Sequence, residues 1–302
     1  MKTNNKPFRQ LALIGSTASG KTALSITLAK KMDAYILSLD SLAIYKEVDI
    51  VSAKPTVEER AGIRHFGLDY TYLNTSFDVN TFISLYHEVY KQCQIDNKNL
   101  IIVGGTSFYL KMLIDGISTL PQISQDTRNK AEEYLKSIDQ TYKMLMSLDS
   151  KYMSNIASSD QYRIEKSLLL YLETGLTPSE YFIQNPQIPT ITEPLPIYQI
   201  IWDKEVLRQR IALRTEQMIK KGLIDEICIL EKKYRRVPNA MKAIGIKETL
   251  AYLDGIYDKQ MLIEKITTHT ARLAKRQTTF NNSQFSEVIR GSVEELESLL
   301  LS

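Results

Sequence analysis

Residues 15–22 read GSTASGKT, which fits G-x-x-x-x-G-K-[ST], and this stretch constrains the fold more than any other. A short apolar run, RQLALI at 9–14, precedes it, and helical spacing from about Lys21 to Met32 comes after it. A buried strand, a glycine loop and a helix N-terminus in that order make an anion cradle. Gly15 and Gly20 admit backbone angles that a side chain forbids. The backbone N–H groups of Ser16, Thr17, Ala18 and Ser19 are then expected to turn toward phosphate oxygens at the positive end of the helix. Lys21 supplies a full charge to the outer phosphate, and Thr22 offers a hydroxyl to a magnesium ion, Mg2+. The pattern is that of the nucleotide-binding, ATP-binding class of loops, and alone it says only that phosphates bind here.

The surrounding pattern predicts an α/β fold. YILSL at 35–39 and LIIV at 100–103 read as further buried strands, and residues 78–95 have helical spacing with Val79, Phe82, Ile83, Tyr86 and Val89 on one face. Strands alternating with helices predict a parallel sheet. From about Thr119 to Pro196 the pattern turns helical, with candidates at 125–137, 140–148, 161–174 and 178–184, bounded by Pro121 and by Pro186, Pro189, Pro194 and Pro196. IYQIIW at 197–202 regains strand character. The remainder reads as helices at 204–221, 223–234, 240–253 and 258–280. The expected organisation is a P-loop core over 1–118, an all-helical insertion over 119–196, and core completion with C-terminal helices over 197–302.

Composition excludes some classes. The net charge is only +3, so a nucleic-acid surface must come from local clustering. Between Lys204 and Lys247 there are 12 Lys/Arg against 5 Asp/Glu, an excess of 7. Cys93 and Cys228 match no zinc or redox spacing. The opening MKTNNKPFRQ lacks a signal-peptide shape and no run of about 20 apolar residues occurs, so a cytoplasmic, membrane-free protein is expected.

Nucleotide hydrolases and kinases place an acidic residue at the end of a second apolar strand. Here LIIV runs into Gly104, Gly105 and Thr106, and the carboxylate ends the earlier strand as Asp40. In a parallel sheet both strand ends lie on the ligand side with the loop. Asp40 and Thr106 therefore belong near the phosphates, although Asp is also a common turn cap and Thr a common helix cap.

Taken together, these segments resemble the bacterial tRNA dimethylallyltransferases, also called isopentenyl-diphosphate:tRNA isopentenyltransferases. GSTASGKT is similar to that family's GPTASGKT. LDSLAIYKEVDIVSAKPT (39–56), the His65 and Asp69 pair, VGGTSFYLKMLIDGI (103–117), RIALRTEQMIKKGLIDE (210–226), AIGIKETLAYLDG (243–255) and RLAKRQTTF (272–280) carry the rest, in the family's order. The resemblance implies a P-loop, kinase-like core under a helical insertion. It implies transfer of a dimethylallyl group from dimethylallyl diphosphate to N6 of adenosine 37 beside the tRNA anticodon.

It also implies roles. Asp40, Thr106 and Lys21 would be catalytic. Arg214 would clamp the diphosphate, with Arg210 an alternative one turn earlier. Asp40, Ser41, Leu42, Ala43, Thr106, Arg128, Arg163, Lys166, Lys275, Arg276 and Gln277 would meet the tRNA. A monomer is expected. The chain departs from the family pattern at Tyr162 and Lys166, at Ile246, and at Asn281 and Asn282. A small-molecule P-loop kinase, an adenylate isopentenyltransferase and a non-catalytic RNA-binding protein share parts of the pattern.

Overall fold

The computed structural model describes residues 8–301. Residues 1–7, on which the leader reading partly rests, lie outside the described residues. The chain divides into two compact units, one of residues 1–111 with 193–302, the other of residues 112–192.

The first unit is built on a six-stranded parallel sheet of order β3-β2-β4-β1-β5-β6. Its strands are β1 (Gln10–Gly15), β2 (Ala34–Leu39), β3 (His65–Phe66), β4 (Asn99–Gly104), β5 (Ile197–Ile200) and β6 (Val288–Gly291). β1, β2, β4 and β5 are mostly apolar because both faces of the sheet are covered. Leu13, Ile14, Ile36, Leu37, Leu39, Leu100, Ile101 and Ile102 are fully buried. At about 1.5–3 kcal/mol for each large aliphatic side chain, this burial is the main stabilising term of the unit. Helix α1 (Lys21–Met32) lays Leu24, Leu28 and Ala29 on one face with Leu296. The strand register aligns the ends of four strands: Ile14 pairs with Gly104, Leu39 pairs with Gly104, and Gly15 pairs with Ile200. The loops after β1, β2, β4 and β5 therefore leave the same edge of the sheet.

The remaining helices of this unit are α2 (Val79–Asp96), most of α3 (Ser107–Asp115), α9 (Lys204–Lys220), α10 (Leu223–Tyr234), α11 (Ile246–Leu253), α12 (Lys259–Gln284) and α13 (Val293–Leu301). A second core joins Leu223, Ile227 and Leu230 of α10 to Ile246 and Leu250 of α11, Leu262 and Ile266 of α12, and Val48 and Val51 of the loop after β2. The second unit holds α4 (Gln125–Leu135), α5 (Ile138–Leu148), α6 (Ser150–Met153), α7 (Gln161–Thr174) and α8 (Pro178–Gln184), packed around Ala131, Leu145, Met153, Ile164 and Leu168. Among the described residues no helix is long and apolar enough to cross a membrane.

Several expectations are corrected. The helix expected over 240–253 is a 3-10 turn at Asn239–Lys242 and then α11. Ala243 between them is extended and Gly245 sits at φ 92, a left-handed angle that breaks the helix. The last long helix runs to Gln284, not 280, and the strand expected over 197–202 stops at Ile200. β3, β6, α6 and α13 lie where no such element is expected from the sequence.

Candidate active site

The phosphate loop is held from outside by donors that grip its carbonyls and Thr17. Lys21 Nζ donates to Ser16 O at 2.5 Å and to Ser19 Oγ at 3.3 Å. Arg210 Nε donates to Ala18 O at 2.8 Å, and Trp202 Nε1 donates to Ser19 O at 2.8 Å. Arg214 Nη1 reaches Thr17 Oγ1 at 3.1 Å. Gly20, left-handed at φ 93, starts α1. The N–H groups of Gly20, Lys21 and Thr22 have no hydrogen-bond partner among the described residues. Unpaired amides at a helix N-terminus attract anions, and they do so here with no acidic residue in the first turn. Thr17 and Ser19 depart from the sequence expectation. Thr17 N–H donates to Gln277 Oε1 at 2.9 Å and Ser19 N–H to Ser16 O at 3.3 Å, so both amides have partners within the protein.

Asp40 and Thr106 come after neighbouring strands and meet. Thr106 N donates to Leu39 O at 3.0 Å, and Ser41 N donates to Thr106 Oγ1 at 3.3 Å. Asp40 Oδ1 accepts from Leu42 N at 2.8 Å and Ala43 N at 2.9 Å. The turn-cap role is therefore real, but it occupies one oxygen. Oδ2 has no partner among the described residues. A carboxylate fixed by one oxygen and open at the other can accept a proton from a bound group.

The charges around it are coupled. Lys21 is part-exposed as a residue, yet its ammonium is enclosed by Ser16 and Ser19. Burial, with a smaller push from the Arg214 charge and against the opposing Asp40, brings its pKa down from 10.5 to about 7. Arg214 is likewise lowered by burial, with Asp40 countering. Two buried cations that share the single carboxylate of Asp40 favour the arrival of further negative charge. Arg210 differs: it is exposed, lies over the Trp202 ring at 4.6 Å, and grips the outside of the loop. Arg214 is the guanidinium on the Lys21 and Asp40 side.

A divalent cation would find one protein hydroxyl, Thr22 Oγ1, and no group of three or more His, Cys, Asp or Glu among the described residues. That donor set suits magnesium, which keeps waters and takes most other ligands from phosphate oxygens. Two surface depressions, of about 410 and 490 Å3, are lined by α10 and nearby loop residues such as Glu231, Arg235, Tyr45 and Phe77, and neither includes the phosphate loop. Donors, not a cavity, mark the site.

Motif residues further along prove to be scaffold. Lys54, with 3% of its side chain exposed, donates to Tyr45 O at 2.9 Å and to Asp49 and Asp69 at 2.6 Å each. Arg60 also pairs with Asp69 at 3.1 Å. Glu226 of α10 accepts from the N–H groups of Asp49, Ile50 and Val51. Buried Glu248 accepts from Gly245 N at 2.6 Å and faces His269 Nδ1 at 2.5 Å. These contacts shape the loop that starts at Asp40 and the helices beside it. The sequence reading missed the contacts of Trp202 and Glu226; an indole two residues past a strand, and a glutamate between Asp225 and Ile227 in the first turn of a helix, carry no signal of their partners.

The expected RNA-contacting residues divide. Ser41 is exposed, Leu42 half-buried and Ala43 buried at 3%. Lys275 and Arg276 of α12 are exposed, whereas Gln277 turns inward. In the second unit Arg128, Arg163 and Lys166 are all exposed. Asp160 caps α7 by accepting from Arg163 N at 3.1 Å, and Lys166 lies over the Tyr162 ring at 5.4 Å. The KKYRR run at 232–236 is partly neutralised. Lys233 pairs with Glu47 at 2.5 Å, and Arg236 pairs with Asp254 and Glu231.

A family model described as IPP transferase matches residues 43–284, more than half of the chain. The chain belongs to the IPP transferase family. Among relatives of this family, the tRNA dimethylallyltransferase of Sulfurovum sp. (strain NBC37-1) is 64% identical over 297 residues, 98% of this chain and 99% of the relative. That of Sulfurimonas denitrificans is 55% identical, covering 97% and 98%. A full-length tRNA isopentenylpyrophosphate transferase from Bacillus halodurans superposes with a TM-score of 0.70 at 27% identity, covering 97% of this chain and 95% of that one. A eukaryotic dimethylallyltransferase acting on tRNA superposes with a TM-score of 0.80 at 25% identity, covering 90% and 70%. The IPP transferase relatives thus share the fold described above along almost the whole chain.

Proposed function

We propose that this protein transfers a dimethylallyl group from dimethylallyl diphosphate to N6 of adenosine 37 in tRNA. The observation that carries the reading is the placement of Asp40, with Oδ2 unpartnered, beside a phosphate loop that offers unpaired amides and is bonded by Lys21 and Arg214. Family membership supports reading the phosphate ligand as a prenyl diphosphate.

The reaction balances without an oxidant. The allylic carbon–oxygen bond of the donor breaks, the N6–carbon bond forms, and the N6 proton leaves to Asp40 Oδ2 while diphosphate departs. The amides of Gly20, Lys21 and Thr22, with Lys21 and Arg214, stabilise the charge that develops on the leaving group. Thr22 Oγ1 would hold a magnesium ion beside the phosphates, and such an ion would supply further positive charge to the leaving group. Asp40 orients the amine and accepts its proton. Thr106 Oγ1, which accepts from Ser41 N–H, would orient the reacting groups beside Asp40. The base must leave its stack to reach Asp40. Arg128, Arg163 and Lys166 in the helical unit, and Lys275 and Arg276 on α12, serve the RNA backbone; a cytoplasmic enzyme is the reading that suits that substrate.

The test is transfer of label from isotopically marked dimethylallyl diphosphate to an unmodified anticodon stem-loop. The expected product is RNA with one prenylated adenosine and free diphosphate. Label on AMP in preference to RNA, or ATP turnover with no labelled RNA, would overturn the reading.

A further inference from the structure

Gln277 stands on α12, 260 positions from Thr17 and 172 from Gly105, and touches both. Its Oε1 accepts from Thr17 N at 2.9 Å, and its Nε2 donates to Gly105 O at 3.0 Å. The partners settle the amide orientation, because Thr17 offers only a donor and Gly105 only an acceptor. One planar group thus ties the phosphate loop after β1 to the turn after β4. The same side chain accounts for Gly105. A Cβ there would meet Gln277 Nε2 at 2.5 Å, and the next nearest atoms, at 3.3 and 3.7 Å, also belong to Gln277. The backbone of Gly105 is outside the left-handed region, so no torsion requires glycine. Gly104 is a different case, since a Cβ there would strike the backbone of Leu39.

We propose that Gln277 is a positioning residue that sets the spacing between the diphosphate loop and the Thr106 turn, and that residue 105 is glycine to admit it. The inference rests on the prenyl-transfer reading. Resemblance alone puts Gln277 among RNA-contacting residues, but both of its polar atoms are engaged within the core, so its influence on RNA is indirect. Two catalytic elements meet at its contacts. Thr17 is also held by Arg214, and Thr106, next to Gly105, anchors Ser41 beside Asp40. Loss of the amide therefore releases the donor side and the acceptor side from each other.

Four proteins test this: wild type, Gln277→Ala, Gly105→Ala and the double variant. The readouts are KM for dimethylallyl diphosphate, kcat with an anticodon stem-loop, and Kd for that RNA. Gln277→Ala should raise the donor KM about tenfold, the effect of losing the two neutral hydrogen bonds, with the RNA Kd unchanged. Gly105→Ala should do at least as much, because its methyl group evicts the amide. In the Gln277→Ala background, adding Gly105→Ala should have no further effect, since the clashing atoms are gone. Multiplying defects in the double variant would overturn the proposal. So would a Gln277→Ala protein with a weakened RNA Kd and an unchanged donor KM. If Gln277→Ala does not fold, Gln277→Met, similar in length and unable to bond, takes its place. If the wild type transfers no prenyl group, the prenyl-transfer reading fails by itself. The positioning role is then read from the affinity for inorganic pyrophosphate, where the same non-additivity is expected.

Discussion

Asp40 answers to two demands at once, and its two oxygens divide them. Oδ1 closes the turn onto Leu42 and Ala43, and Oδ2 has no partner among the described residues. Asp40→Asn keeps a turn acceptor and loses the base, so kcat should fall by about 10²-fold or more while RNA affinity holds. Stopped-flow transfer with RNA binding measured in parallel checks this, and a wild-type rate would remove Asp40 from the chemistry. Lys21 makes a second prediction. Burial holds its pKa near 7, with Arg214 adding to the effect. Above that pH the free protein carries Lys21 largely neutral, and an arriving diphosphate favours the ammonium. Donor binding at about pH 8.5 should therefore take up close to one proton, and at about pH 6 almost none. Calorimetry in buffers of different ionisation enthalpy reads the uptake, and Lys21→Met should abolish it. The stability sign agrees with the depressed value. Between about 7 and 10.5 the unfolded chain binds more protons at Lys21 than the folded chain, so this group favours folding increasingly as pH rises.

At the scale of elements, the loop between β2 and β3 has little regular structure and is ordered by side chains. Lys54 ties Tyr45, Asp49 and Asp69 from within, while Glu226 caps three successive amides from α10. Burial and the cations act in opposite directions on Asp69. Burial alone would raise its pKa, and Lys54 and Arg60 together bring it below the ordinary range. Lys54→Met should destabilise the protein by about 1–2 kcal/mol, toward the low end for a buried pair because both aspartates are substantially exposed. Thermal unfolding measures the loss, and hydrogen exchange should place it in residues 45–54. Protection unchanged there would show that Glu226 alone orders the loop. Strands β1, β2, β4 and β5 are legible in the sequence because each is largely buried and mostly apolar, with Ser38 and Gln199 as polar interruptions. β6 is not. Its residues Ile289 and Arg290 are exposed, so VIRG shows neither a run nor an alternation. β3 has two residues and exists only by pairing with Ile36 and Leu37.

For the whole molecule, charge counting along the chain overstates the cationic surface. Of the excess between Lys204 and Lys247, Arg210 grips the phosphate loop, and Lys233 and Arg236 are paired with acids from elsewhere. In the helical unit Arg128 and Lys166 are exposed and without an acidic partner among the described residues. Lys166→Ala should weaken RNA binding and lower the salt-dependence slope by about 1, with dimethylallyl diphosphate affinity unchanged. Fluorescence anisotropy across a salt series checks it, and an unaltered slope would mean that α7 does not meet the RNA backbone.

As a bare sequence, the chain declares its loop, its parallel sheet, its helical insertion and the family to which it belongs. Each of these rests on local spacing or on contiguous burial, which a linear string preserves. Only the tertiary structure decides which arginine bonds Thr17, why Thr17 keeps its amide turned away, and what Gln277 touches. Those answers depend on partners 172 to 260 positions away, brought together by the alignment of strand ends at one edge of the sheet. No periodicity in the sequence encodes such distances.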